Sequence, residues 1–179
     1  MPIYALGNLV PTIAETAFIH PDAVVIGDVR IADGVSVWPM AVLRADSAAI
    51  SVGRGTSVQD GVVIHTATDL PTTIGAHVTL GHLAHLEGCT VADCALVGVN
   101  STVLHRATIG VGALVGAGAV VTADTDVPNY AMALGVPARI RLDAVKPDAF
   151  SSNIAAYAEF TRIYPTQLRR LPDHVTAAN

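Results

Sequence analysis

Ile109-Gly-Val-Gly-Ala-Leu, Val115-Gly-Ala-Gly-Ala-Val and Val121-Thr-Ala-Asp-Thr-Asp follow one another without a break, as units of six residues that each open on an aliphatic side chain. Working outward with the opener as position one gives Val91, Val97 and Val103, then Ile74, Leu80 and Leu86, then Val52, Val58 and Ile64, then Ile31, Val37 and Leu43. Every opener is Ile, Leu or Val. Position five of the same units reads Val35, Ala41, Ser47, Thr56, Val62, Thr68, Val78, Ala84, Thr90, Ala95, Ser101, Ala107, Ala113, Ala119 and Thr125, always small or β-branched. Position five and the next opener lie two residues apart, so both point to the same side of a strand. A turn redirects the chain between units. Three such strands close a triangular coil of 18 residues, and stacked coils bury one continuous core. Glycine at position two, as at Gly53, Gly75, Gly81, Gly98, Gly110 and Gly116, leaves the outer face without bulk.

This pattern resembles the hexapeptide-repeat β-helix family. The expected fold is an all-β solenoid, a left-handed parallel β-helix of hexapeptide repeats with a C-terminal α-helix. The left-handed sense comes from the resemblance; strand-crossover physics alone gives right-handed connections. Three spacings break the repeat: nine residues from Leu43 to Val52, ten from Ile64 to Ile74, and five from Leu86 to Val91. The first two read as loops pushed out at a corner, the third as a shortened turn. All end the third face, so they line one edge of the prism, and loops on a rigid scaffold are where function concentrates. The solenoid domain is expected over 1–142, with a C-terminal helix and tail over 143–179 packed on it. Pro147 suits a first helical turn. Phe150, Ile154, Tyr157 and Phe160 recur at helical spacing between Ala149 and about Ile163, and Pro165 is expected to end the helix.

Composition excludes several function classes. The 179 residues are only 14% charged, with 10 Lys+Arg against 15 Asp+Glu, and mean hydropathy is +0.51. The uncharged run Ala107–Ala123 is shorter than the roughly 20 apolar residues of a spanning helix and is broken by glycines. No membrane span is expected. A net charge of −5 argues against nucleic acid as a partner. Cys89 and Cys94 make no disulfide framework, and the N-terminus lacks the basic-then-apolar pattern of a secretory signal, so a cytoplasmic location is expected.

Stacking turns spacing into geometry, because equivalent positions of adjacent coils lie about 4.8 Å apart. Position two of the third face reads Arg44, His65, Glu87, Leu104 and Thr122, facing outward. His65 and Glu87 are therefore neighbours, and Arg44 flanks His65. Position three of the second face reads Pro39, Asp60, His82, Val99 and Ala117, which stacks Asp60 on His82. His85 leaves the same strand as Glu87. Imidazole and carboxylate together suit Zn²⁺ and other divalent first-row metals. His65 and Glu87 can supply two ligands. His82 lies too far round a corner to join them within one chain, but it can join from a neighbouring chain of a cyclic oligomer.

Leu43-Arg44-Ala45-Asp46, Val58-Gln59-Asp60-Gly61, Val63-Ile64-His65-Thr66 and Gly81-His82 through Glu87-Gly88-Cys89 resemble γ-class carbonic anhydrases and the related carnitine- and phenylacetate-operon proteins; Met132-Ala133-Leu134-Gly135-Val136-Pro137-Ala138 also matches. The resemblance covers residues 10–142. It implies a homotrimer with a divalent metal, Zn²⁺ or else Fe²⁺ or Co²⁺, at each subunit interface, and metal-activated water attacking CO₂. His65 and His82 match two ligands. The third family ligand is a histidine, and Glu87 stands in its place. Either Glu87 completes a two-histidine-one-carboxylate set, or His85 compensates. Arg44 and Asp46 match an interface ion pair, Gln59 and Asp60 match polar groups beside the metal, and Tyr157 matches a helix tyrosine near the site. The alternatives are a metal-dependent ester or thioester hydrolase, a hexapeptide acyltransferase using His105, and a non-catalytic metal-binding trimer.

Overall fold

The computed structural model describes residues 2–171 and is a parallel β-solenoid of about seven turns carrying one helix. Every position-one residue from Ile31 to Val121 is at most 3% exposed, which makes these openers the spine of the core. The second face is an eight-stranded sheet. It runs from Phe18–Ile19 through Ser36–Val37, Ser57–Val58, Thr79–Leu80, Leu96–Val97 and Leu114–Val115 to Met132–Leu134, all parallel, and closes on the antiparallel strand Arg139–Arg141. The first and third faces form one twelve-stranded sheet, because Val24–Ile31 and Val42–Val52 run unbroken round the corner between them.

That continuity corrects one expectation. The nine-residue spacing from Leu43 to Val52 is not a separate loop; it lies within one eleven-residue strand that bulges at the corner, where its register to Val24–Ile31 shifts between Ala45, paired with Gly27, and Ile50, paired with Val29. The ten-residue spacing does contain a loop, pinched by a bridge between Ala67 and Leu70. The position-five pattern fails at this same corner. Ser47, Thr68 and Thr90 are exposed, and Ala45, Thr66 and Cys89 fill the interior instead. A corner of altered length shifts which residue meets the core. The position-two glycines also do more than keep the outer face bare. A Cβ on Gly98 would lie 2.6 Å from the backbone nitrogen of Ala117 on the next coil, closer than any side chain tolerates.

The helix spans Ser151–Gln167, starting later and ending later than its pattern suggested. Pro147 lies in the turns that precede it rather than in its first turn. Pro165 is inside it, in the last turn, where its missing N–H forgoes a single helical bond. The extra turn matters, because it brings Tyr164 over Trp38, ring centroids 4.8 Å apart and nearly perpendicular. Tyr157 and Phe160 also lie edge-on to Trp38, and Phe18 meets Tyr164 at 5.8 Å. Trp38 is 5% exposed under this cluster, and its indole N–H donates to Ser36 and Ser57. The helix thus seats on the second face, where Thr79 also donates to Asn153. Residues 172–179, the end of the expected tail, lie outside the described residues. Among those described, no helix is long and apolar enough to cross a membrane.

Candidate metal centre

The third face ends where the repeat is irregular, and the polar side chains converge there. Arg44 pairs with His65 and His65 with Glu87 in the strand register, as the column arithmetic requires. Their backbones are pinned by Thr72, whose hydroxyl donates to the His65 carbonyl at 2.6 Å and accepts from Gly88 N–H at 2.8 Å. Thr72 is fully buried, so this clasp holds two adjacent coils together beneath the site.

Both ring nitrogens of His65 face carboxylates. Nε2 lies 3.0 Å from Asp46 Oδ1, and Nδ1 lies 3.2 Å from Glu87 Oε1. Asp46 gives its other oxygen to the Arg44 guanidinium of the same chain. Glu87 is ringed by imidazoles. His105 Nε2 lies 3.3 Å from Oε1, and His85 Nε2 lies 3.6 Å from Oε2, beyond hydrogen-bond reach. Burial pulls the Glu87 carboxyl upward, but the His105 and His65 imidazoles outweigh it and hold the acid below its ordinary range. Asp46 follows the same logic. Burial raises it, and the His65 hydrogen bond and the Arg44 charge bring it lower.

His82 and Asp60 stack as expected, with His82 Nδ1 2.9 Å from Asp60 Oδ2, both about half exposed at 45% and 49%. They occupy the corner between the second and third faces, five residues before the Glu87 and His65 ends of the same coils. Within one chain, no group of three His, Cys, Asp or Glu among the described residues is arranged to hold a metal. The corner that carries His82 also exposes Met40, Leu83, Val99 and Val63. Leu83 and Met40 adopt left-handed backbone, φ 62 and 61, which side chains of this kind rarely accept. Gln59, beside Asp60, is buried. Burial first, then the negative charge of Asp60, push the Tyr157 hydroxyl above its ordinary pKa, so Tyr157 belongs to the His82 end.

The donor set fits a metal at the level of two ligands. Two donors bound at about 2.0–2.2 Å in a tetrahedron stand roughly 3.4 Å apart, and the His65 Nδ1 to Glu87 Oε1 separation is 3.2 Å. Asp46 on Nε2 is then the carboxylate that commonly orients a ligating histidine. Sequence reasoning missed two features here: the Asp46–His65 contact and the approach of His105 to Glu87. The signal for the second lay in the position-three column of the third face, Thr66, Gly88 and His105, where the regular register stacks His105 on Gly88 and Arg106 N–H bonds the Gly88 carbonyl at 2.7 Å. His105 is also the residue a transferase reading would use as a base, and its Nε2 is buried against Glu87.

This geometry can be set beside known proteins. The family described as bacterial transferase hexapeptide (six repeats) matches residues 11–45. The carnitine operon protein CaiE of Escherichia coli K12 is 40% identical over 139 residues, covering 78% of this chain and 71% of that protein. Mitochondrial γ carbonic anhydrase 2 of Arabidopsis thaliana is 42% identical over 135 residues, 72% of this chain and 49% of that protein. The chain belongs to the γ-carbonic-anhydrase-like family of hexapeptide-repeat proteins. Within this family the chain spans most of the carnitine-operon protein and about half of the plant enzyme. Among solved structures, a putative acetyltransferase from Bacillus cereus superposes with TM-score 0.89 at 30% identity, over 93% of this chain and 98% of that one. A hexapeptide transferase family protein from Anaplasma phagocytophilum gives 0.85 at 33% identity, over 91% and 98%. These neighbours are left-handed β-helices, the sense that the family resemblance implied.

Proposed function

We propose that the protein is a metal-dependent hydratase of the γ-carbonic-anhydrase type, interconverting CO₂ and bicarbonate at sites shared between subunits of a homotrimer. The carrying observation is the His65–Glu87 pair, held at ligand spacing on facing strand ends. His82 of a neighbouring subunit completes the set. Its corner is half exposed and is flanked by Met40, Leu83 and Val99, an apolar edge suited to burial against another copy. Two imidazoles and a carboxylate suit Zn²⁺, Fe²⁺ or Co²⁺. A bound cation of this kind supplies Lewis acidity that makes water a nucleophile near neutral pH.

The chain's own residues do the rest. Asp46, steadied by Arg44, accepts from His65 Nε2–H and fixes the ring so that Nδ1 faces the cation site. Asp60 orients His82 in the same way from Nδ1. Gln59, buried beside Asp60, orients the attacking water, and Tyr157, packed on Trp38, offers its hydroxyl from the helix. The substrate is a small molecule; nucleic acid and membrane are not partners. Two free cysteines fit a reducing, cytoplasmic setting. The test is metal analysis of anaerobically purified protein, followed by stopped-flow CO₂ hydration. Bound metal near one per chain, with hydration lost in His82→Ala, supports the reading. Metal-free protein with no gain on adding Zn²⁺, Fe²⁺ or Co²⁺ sinks it, as does a monomer in light scattering.

A further inference from the structure

Among the described residues, one buried side-chain polar atom has no hydrogen-bond partner: His105 Nε2. It points at Glu87 Oε1 from 3.3 Å without the alignment of a hydrogen bond. Strand register stacks His105 on Gly88, and the glycine leaves the ring room. The turn after Glu87 is one residue shorter than the hexad norm, and Gly88 fills it with φ +58. A Cβ on Gly88 would lie 3.2 Å from His105 Cδ2 and 3.1 Å from Leu70 Cβ, so glycine clears the space the imidazole occupies. Arg106 N–H, bonded to the Gly88 carbonyl, anchors the backbone next to His105. His85, the other imidazole near Glu87, is 3.6 Å from the second oxygen and 38% exposed, a looser neighbour.

We propose that His105 is a positioning residue for Glu87: its Nε2–H holds the carboxylate where the family's third imidazole ligand would stand. The proposal rests on the metal-site reading above. A histidine ligand is a rigid ring with few rotamers, whereas a glutamate carboxylate swings on a flexible stem. A chain that places Glu at the ligand position needs a second group to fix it. A carboxylate oxygen has two lone-pair directions, so Oε1 can accept from His105 and still face the cation beside His65 Nδ1. Gly88 and the imidazole it leaves room for form one device that stands in for the rigidity of the missing imidazole.

The experiment is Co²⁺ titration of the full-length, metal-stripped protein, read by visible absorption, with metal-free melting as a fold control. His105→Ala is expected to weaken Co²⁺ binding about 10–100-fold, the range for groups that orient ligands, and to alter the Co²⁺ band shape while metal-free melting is unchanged or raised. His105→Gln, whose amide keeps an N–H near the Nε2 position, is expected to recover most of the affinity. His105→Asn, with its donor set back, is not. If His105→Ala fails to fold, the Gln–Asn contrast decides alone. Wild-type affinity in His105→Ala overturns the proposal and leaves the metal reading standing. Complete loss in Ala, Gln and Asn alike overturns it by making His105 a ligand. No Co²⁺ binding by the wild type, or none of it lost in Glu87→Gln, overturns the metal reading and the proposal with it.

Discussion

The coils from Val91 to Val127 and the corner from Ala45 to Cys89 are built by the same repeat with opposite results. In the upper coils the hexads are uninterrupted: openers and small residues alternate into the core, and the inward faces carry no ionisable group. At the corner the spacing runs nine, ten and five instead of six, and Arg44, Asp46, His65, Glu87, His85 and His105 meet in one linked cluster. A solenoid stacks like on like, so a perfect repeat brings together identical, mutually satisfied residues. Here the unlike groups Arg44, His65 and Glu87 stack by that same register, next to the edge where coil lengths differ. The regular region supplies stability, and the irregular edge supplies chemistry.

The comparison can be broken or sharpened by measurement. Leu80→Ala, in the fully buried second-face core, should cost about 2–5 kcal/mol of stability without changing metal affinity in the folded fraction. A fall in affinity of the folded protein would mean that scaffold and site are not separable. Thiol reactivity then asks whether the irregular corner is packed as tightly as the regular coils. Burial pushes the Cys89 thiol up to about 12, while Cys94 is exposed and raised less. Native protein at pH 8 should therefore react at one thiol, with Cys89 slower by two or more orders of magnitude; two equally fast thiols would show an open corner.

Glu87→Gln should lower Co²⁺ or Zn²⁺ affinity by more than about 100-fold, beyond the loss expected for an orienting residue, with metal-free melting little changed. Inserting one alanine after Gly88 restores the six-residue spacing and relieves the left-handed backbone of Gly88 against which His105 packs. About a tenfold loss of metal affinity with melting retained would tie the short turn to the site, and no loss would cut that tie. At the small end, Arg106→Ala removes a fully exposed pair with Asp124. Melting should be essentially unchanged, because water screens such an exposed pair, and a clear fall would mean that this outer corner carries load.

What could be read in advance follows the same division. Register arithmetic gave Arg44 beside His65, His65 beside Glu87 and Asp60 on His82, because each pair depends only on counting along regular hexads. It failed for Ser47, Thr68 and Thr90, which depend on how a corner of abnormal length is bent; His105 stacks on Gly88 by the regular count, in a position-three column whose glycine gave no chemical signal. The helix was legible as a stripe of Ile154, Tyr157 and Phe160. Its reach to Tyr164 was not, because proline at 165 reads as a stop, whereas in a last turn the helix gives up only one bond. The His82 corner was legible as chemistry. Its apolar flank of Met40 and Leu83 was not, because both stand at position four, the left-handed turn position of each hexad, where glycine and polar residues are the usual choice.

The strand Arg139–Arg141 has a consequence of another kind. A parallel solenoid is a template: its last coil offers the same ladder of free amides and carbonyls that each earlier coil used to recruit the next, and end-to-end growth into a fibre is its natural failure. On the second face the chain turns back and lays this strand antiparallel over Met132–Leu134, with Arg139 and Arg141 exposed on its outer side. Reversed direction and like charge together make that edge a poor seed for another copy. On this face the chain covers its own last coil, and a variant with both arginines made neutral is the one in which filaments should first be sought.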